Sequence, residues 1–413
     1  MNIEKKYPEK PKVLVISYLF PNSQYPEFGI FVLNRLKAIS KYCSITVINP
    51  IPWFPLSHKL NRYENFNKIP EFERIEGLPV YHPRFFIIPK YCKFIDPFFY
   101  FYSVFSVLKK NREKIRFDLI DLHWTYPDIL SGKILSKMYR KKWIINIRGK
   151  AAMNIVPERK TERFKQERSL RHCILKKNIV YPDKVITLSN ELKRICNKTG
   201  VGSDKIKTIH NGVDVETFYY VDKKSARERL NLSEDKIILF SVGNLIYGKG
   251  FDRIINGFAD ILSEYENVIY YIAGSTGAAG DYLKSLRTLI NKTGLQNHVI
   301  LLGQLKHGKL PLWYNASDLF CLPSRSEGCP NVLMEALACG CPCVATHVGM
   351  VSEIFKDDPM GKLVQNEGKS IIEGIKRLLS KRFDRKQISI LMKQHTWDAC
   401  ARKVVSEYLE LIN

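Results

Sequence analysis

The chain contains no run of 18 or more apolar residues, so no segment reads as a helix able to cross a bilayer. Its opening, Met1-Asn2-Ile3-Glu4-Lys5-Lys6, lacks the apolar stretch of a secretory leader, and the expectation is a cytosolic protein. In that compartment its ten cysteines default to thiols rather than disulfides. Cys339, Cys341 and Cys343, with His347 nearby, lack the two separated ligand pairs of a structural zinc site, and Gly340 and Pro342 put the first two in a turn. They read as small buried hydrophobes, and no metal site or cofactor is expected. The basic residues are not interleaved with a zinc module, a reading helix or an aromatic RNA motif, so nucleic acid is not an expected partner despite a net charge of +24. Acid is scarce in one half only. Residues 1–219 carry 40 Lys/Arg against 20 Asp/Glu, and the remainder carries 25 against 21. Such asymmetry points the first half at an anionic partner: a membrane surface, a pyrophosphate-linked lipid, a charged glycan or, against the motif reading, nucleic acid.

What the chain does have is length for two domains and repeated α/β grammar. At 413 residues it suits two units of about 200 each. The apolar run Lys12–Ser17 predicts a strand covered on both faces. A loop then leads through Phe28-Gly29 into a helix ending at Ser40, and strand Ser44–Asn49 follows, a Rossmann-like opening. Further strands are predicted over Leu119–Leu122, Trp143–Ile147, Lys184–Leu188 and Ile206–Ile209. The grammar restarts with strand Lys236–Val242, loop Gly243–Gly250, helix Phe251–Leu262 and strand Val268–Ala273. Strands over Val299–Leu302, Leu319–Leu322 and Pro342–Ala345 complete it. The expected division is 1–217, 218–395 and a C-terminal helix within 396–413. The glycines of Gly274-Ser275-Thr276-Gly277-Ala278-Ala279-Gly280 have the wrong spacing for a dinucleotide fingerprint and read as a loop.

Chemistry concentrates in Ser324-Arg325-Ser326-Glu327-Gly328-Cys329-Pro330-Asn331-Val332-Leu333-Met334-Glu335. Pro330 suits the first position of a helix, where its missing N–H costs no bond. The free amides of that first turn attract phosphate. A carboxylate would repel phosphate, so Glu327 and Glu335 need another task, and gripping sugar or ribose diols is the natural one. The loop Gly243-Asn244-Leu245-Ile246-Tyr247-Gly248-Lys249-Gly250, between a strand and a helix, brings a lysine to the same kind of anion. A diphosphate flanked by two sets of hydroxyls describes a nucleotide-sugar. His123, and Arg148 after the next strand, sit at carboxyl ends of predicted parallel strands, where open α/β sheets place ligands. The aromatic stretch Phe98–Phe105, bracketed by basic residues, reads equally as an internal helix or as one lying in a membrane interface.

The 324–353 block resembles the glutamate–seven–glutamate motif of the retaining family 4 glycosyltransferases, and the Lys249 loop resembles their Gly-Arg-Leu…Lys-Gly loop. The resemblance implies the GT-B architecture: two Rossmann-like domains facing across a cleft, with the C-terminal helix packing back on the first. It implies Glu327 and His123 as candidate catalytic residues, His123 being the histidine that contacts the donor sugar. Donor-binding residues by the same match are Gly243, Asn244, Lys249, Arg253, Gly328, Cys329, Pro330, Asn331, Val332, Glu335 and Leu305. Asn244 stands where the family has arginine, which leaves Arg253 or Arg325 to supply that charge. Gly29, where the family often has two glycines, is expected beside the incoming phosphates, and it and Arg148 are the candidates facing the cleft or the acceptor. The chain has no Asp-x-Asp, which argues against the metal-dependent single-domain class. The expected partners are a nucleoside-diphosphate-sugar, a lipid-linked or glycan acceptor of surface polysaccharide assembly, and an anionic membrane at the cytoplasmic face. A sugar-nucleotide 2-epimerase shares this architecture and is the alternative; a nucleic-acid glucosyltransferase and a silent carbohydrate-binding scaffold stand behind it.

Overall fold

The computed structural model describes residues 9–55, 63–89, 91–149, 162–275, 281–355 and 358–413. Two compact units emerge, Met1–Asn211 together with Trp397–Asn413, and Gly212–Thr396. The break falls slightly before the expected 217/218. Val213 donates its backbone N–H to the carbonyl of His395, and Phe218 is buried in the core of the second unit.

The strands of the first unit are β1 (Lys12–Ile16), β2 (Ser44–Ile48), β3 (Ile51–Trp53), β4 (Phe72–Ile75), β5 (Leu78–Tyr81), β6 (Arg84–Phe86), β7 (Leu119–Leu122), β8 (Lys142–Ile147), β9 (Lys184–Thr187) and β10 (Ile206–Thr208). Its helices are α1 (Ile30–Ile39), α2 (Asp96–Lys110), α3 (Asp128–Tyr139), α4 (Glu162–Asn178) and α5 (Asn190–Lys198). Eight strands form one sheet in the order β10-β9-β8-β7-β1-β2-β5-β4, parallel except where β4 runs against β5. The region 51–86, which carries no sequence prediction, holds four strands. Its β4–β5 hairpin turns through Glu76 and Gly77, both at positive φ (49° and 82°), the geometry of a two-residue turn. Glu-Gly is a fainter signal there than Asn-Gly.

The second unit contains α6 (Lys223–Leu230), β11 (Ile237–Val242), α7 (Phe251–Asn256), α8 (Phe258–Leu262), β12 (Val268–Ala273), α9 (Asp281–Lys292), β13 (Val299–Gly303) and α10 (Leu310–Ala316). It continues with β14 (Leu319–Leu322), α11 (Asn331–Ala338), β15 (Cys343–Thr346), α12 (Val351–Ile354), β16 (Gly361–Val364), α13 (Gly368–Leu379) and α14 (Arg385–Met392). Its sheet is wholly parallel, in the order β13-β12-β11-β14-β15-β16. Renumbered within the unit this is 3-2-1-4-5-6, the doubly wound dinucleotide-fold order. The helix expected over 251–262 is broken at Gly257, where a Cβ would lie 2.5 Å from Ile372 of α13; the close approach of that helix interrupts it. Cys339, Cys341 and Cys343 are buried thiols in the core beneath α11. Of the loop 274–280, residues 276–280 lie outside the described residues.

The last helix, α15 (Trp397–Ile412), belongs to the first unit and lies against α1. Cys400, Ala401, Val404, Val405, Tyr408 and Leu409 form its buried face. On its rim Lys184 pairs with Glu407 and Glu410, and the Tyr42 hydroxyl donates to Asp398 at 2.8 Å. Replacing Leu409, 4% exposed, with alanine is expected to destabilise the first unit by about 2–5 kcal/mol, read as a lowered melting midpoint in thermal denaturation.

Candidate functional site

In a doubly wound sheet the loops on either side of the order reversal have no crossover helix between them, and ligands settle there. In the second unit those loops follow β11 and β14. They carry the Lys249 and Glu327 segments. Gly250 caps α7 with φ +70°, and a Cβ on it would meet the Pro323 carbonyl oxygen at 2.1 Å, so only glycine lets the two loops touch backbone to backbone. Arg325 continues the seam. Its backbone N–H donates to the Gly248 carbonyl, and its guanidinium grips both Asp252 oxygens at 2.8 and 2.6 Å while lying 3.8 Å over the Tyr247 ring. Burial pulls the Asp252 carboxyl up, but hydrogen bonds from Arg325 and Tyr282 outweigh it and leave the pKa below the ordinary value. Arg253 donates to the Pro323 carbonyl and to Asn366. Both arginines therefore hold loops together. Asn244 is exposed on the same loop.

Across this seam Lys249 folds back over Gly243, whose absent Cβ would sit 3.3 Å from the lysine Cε, and its Nζ reaches Glu327 Oε1 at 2.7 Å. The Ser324 hydroxyl donates to the same oxygen at 2.7 Å. Both partners keep limited solvent access, 21% and 11% of the side chain. Gly328, Cys329 and Pro330 then lead into α11. Pro330 is its N-cap, with extended ψ of 94°, and Asn331 the first helical residue, one place later than the sequence reading. The proline ring fixes φ at −75°, and its extended ψ turns the chain before the helix winds. Val332, Cys329 and Leu305 pack partly buried against the core.

Glu335, in the second turn of α11, faces a different neighbourhood. The Tyr314 hydroxyl donates to its Oε2 at 3.0 Å, and His307 Nε2 lies 3.3 Å from its Oε1. Burial, then the Glu335 charge, raises the Tyr314 phenol well above its usual pKa, so it stays a donor. Sequence reasoning missed His307, Tyr314 and Ser324. His307 had a signal, since it follows the carboxyl end of β13.

The first unit reverses its order between β1 and β7, and the remaining candidates gather there. Gly29, at φ +75°, caps α1; a Cβ would meet the Leu19 carbonyl carbon at 2.8 Å. His123 and Asp121 are fully buried, and Arg148 is 7% exposed. His123 Nε2 lies 2.8 Å from Asp121 Oδ2, and Arg148 donates to His123 Nδ1 at 2.5 Å. Both ring nitrogens are thus engaged inside the unit. Among the described residues no group of His, Cys, Asp and Glu is arranged to hold a metal ion.

Two family profiles match the chain: "Glycosyltransferase Family 4" over residues 63–217 and "Glycosyl transferases group 1" over 222–395. A Bacillus subtilis glycosyltransferase named for teichuronic acid biosynthesis is 27% identical over 83% of this chain and 83% of its own length. Sucrose-phosphate synthase from Thermosynechococcus elongatus superposes with a TM-score of 0.75 at 19% identity, covering 98% of this chain and 99% of that one. An Anabaena protein in complex with UDP gives 0.71 at 18%, covering 97% and 100%.

Lys249→Ala is expected to weaken nucleoside-diphosphate binding roughly tenfold to a hundredfold, the worth of one charge-assisted hydrogen bond, while thermal stability stays near wild type. Isothermal titration with UDP and GDP reads it.

Proposed function

Because the chain belongs to the family 4 glycosyltransferases and has their GT-B fold, we propose that it moves a sugar from a nucleoside diphosphate to an acceptor hydroxyl with retention at the anomeric carbon. The observation that carries this is the Lys249–Glu327 pair at the order reversal of the second sheet, ahead of α11. A diphosphate entering there meets a cation and the amides of Gly328 to Val332. As it takes Lys249, Glu327 is released to accept hydrogen bonds from donor hydroxyls. Glu335, braced by Tyr314 and His307, receives the ribose diol. In the reaction the bond between anomeric carbon and diphosphate oxygen breaks. The acceptor oxygen bonds to that carbon on the same face, and its proton passes to the departing diphosphate. Lys249 supplies the positive charge, which supports a metal-independent reaction.

The name of the Bacillus relative and the basic first half support a lipid-linked glycan acceptor in surface polysaccharide assembly, handled at the cytoplasmic face of the membrane. No helix among the described residues is long and apolar enough to cross a membrane. Peripheral attachment instead has a surface. α2 buries Tyr100, Val104 and Leu108 and turns Phe98 (57% exposed) and Tyr102 (69%) outward. Exposed Lys109, Lys110, Arg112, Lys114 and Arg116 follow. Aromatic rings beside a basic cluster suit the headgroup layer of an anionic bilayer.

The test is nucleoside-diphosphate release from a panel of UDP-, GDP- and ADP-sugars, with and without membrane lipid extract. One donor should turn over with wild type, more so with lipid, and undiminished in excess chelator; Glu327→Ala should abolish it. Silence across the panel, or donor converted to an isomer without acceptor, would overturn the transferase reading. In vesicle sedimentation, wild type should bind phosphatidylglycerol-rich vesicles, weakly at high salt, and Phe98→Ser/Tyr102→Ser should lose at least about tenfold in partitioning. Equal binding of the two proteins would remove α2 as the docking face.

A further inference from the structure

The fully buried carboxylate of Asp121 is the hub of a polar network drawn from four elements of the first unit. Its Oδ1 accepts from Asn146 on β8 at 2.7 Å, and Asn146 Oδ1 accepts from Arg35 on α1 at 3.0 Å. Arg35 is wholly buried and also donates to Asn211 and to the Ile209 carbonyl. The other Asp121 oxygen, Oδ2, takes His123 Nε2 and the hydroxyl of Tyr408, which arrives on the C-terminal helix 287 positions later. Cys43 is a further titratable neighbour among the described residues; burial pushes its thiol up to about 12, so it stays neutral.

Heavy-atom positions fix the protons. Arginine has donors only, so the Arg148 guanidinium beside Nδ1 demands a lone pair there. An ionised carboxylate only accepts, so Nε2 carries the hydrogen it shares with Asp121. The ring is a neutral Nε2–H imidazole. A second proton would have to sit on Nδ1, facing a guanidinium. Accordingly burial, offset in part by Asp121 and reinforced by Arg148 and Arg35, brings the His123 pKa down to about 4. Burial pulls Asp121 up, but His123, Tyr408 and Arg148 outweigh it and hold it below its ordinary value.

We propose that Asp121 and Tyr408 are positioning residues: they lock His123 as the neutral Nε2–H tautomer, whose Nδ1 aligns the Arg148 guanidinium at the carboxyl edge of the first sheet. The value of that alignment for sugar transfer rests on the glycosyltransferase reading; the lock itself does not. Tyr408 has a specific part. By donating to Asp121 it draws off negative charge that would otherwise stabilise imidazolium. Removing the hydroxyl strengthens the pull of Asp121 on the ring and makes protonation easier.

The experiment follows the His123 imidazole by nitrogen NMR in the full-length chain labelled at histidine, with His123→Gln identifying its signals. Wild type should show the neutral Nε2–H tautomer at pH 7 and a midpoint far below that of a free histidine. Tyr408→Phe should raise the midpoint by roughly half a unit to one unit, the equivalent of one hydrogen bond. Arg148→Gln removes a like charge and should raise it too, which keeps the test open should the tyrosine variant fold poorly. With a donor in hand, the acid limb of the Tyr408→Phe rate profile should move to higher pH in step. A proton on Nδ1 in wild type, or midpoints unmoved in both variants, overturns the proposal. A chain that behaves as expected here yet is silent with every nucleotide-sugar would sink the transferase reading and leave the lock standing.

Discussion

A parallel sheet whose strand order reverses leaves two neighbouring loops with no helix crossing between them, and most of the candidate site residues gather at such a point. Each unit has one, between β11 and β14 and between β1 and β7. Strand burial drives it. The central strands are apolar on both faces, so helices must cover each side, and because crossovers are right-handed the strand order must run outward both ways from a starting strand. The loops left bare at that divergence carry the glycines, charges and helix starts. Gly250 against Pro323 and Gly29 against Leu19 show how closely the backbone is drawn together there.

The same topology carries opposite electrostatics in the two units. In the second, Lys249 and Glu327 form a pair that keeps 21% and 11% of its side-chain surface in solvent. On the proposed function an incoming anion competes for the lysine, and donor hydroxyls compete for the glutamate. The arginines nearby are spent differently. Arg325 and Arg253 tie one loop to the next, whereas Lys249 pairs with Glu327 as a compact charge on a flexible stem. Asn244 in place of a further arginine leaves the site one charge poorer than the family pattern, and the structure does not refill that position with either neighbour.

Much of this was legible in the sequence because it rests on local rules. The glycine-lysine loop, the Glu327 to Glu335 block and the alternation of apolar runs with helical stretches each follow from residues a few positions apart. What escaped depends on tertiary approach. No local pattern links Gly257 to Ile372, so the break between α7 and α8 is invisible until α13 is docked. The four strands described within 51–86 are only three or four residues long, and β4 and β5 join through Glu76-Gly77, which lacks the stronger turn chemistry. Tyr314 and His307 reach Glu335 only after two crossovers, and Tyr408 reaches Asp121 from the far end of the chain. His123 was singled out for its place at a strand end. That place is where the structure has it, with its ring turned to an internal partner on either side.

The contrast between the units follows from solvation. A charge that must be traded with a ligand has to keep some water, or its desolvation would be met twice, once in the free protein and again in the complex. Lys249 and Glu327 satisfy that condition. Asp121, His123 and Arg35 satisfy the opposite one: buried beyond water, they persist because both Asp121 oxygens, both His123 ring nitrogens and the Asn146 amide have specific partners inside the unit. Such a network takes its geometry from partners within its own unit. The C-terminal helix, by contributing Tyr408 to the hub, makes that geometry conditional on the whole chain having folded. A pair with some solvent access thus lies in one unit, and a fixed internal network in the other.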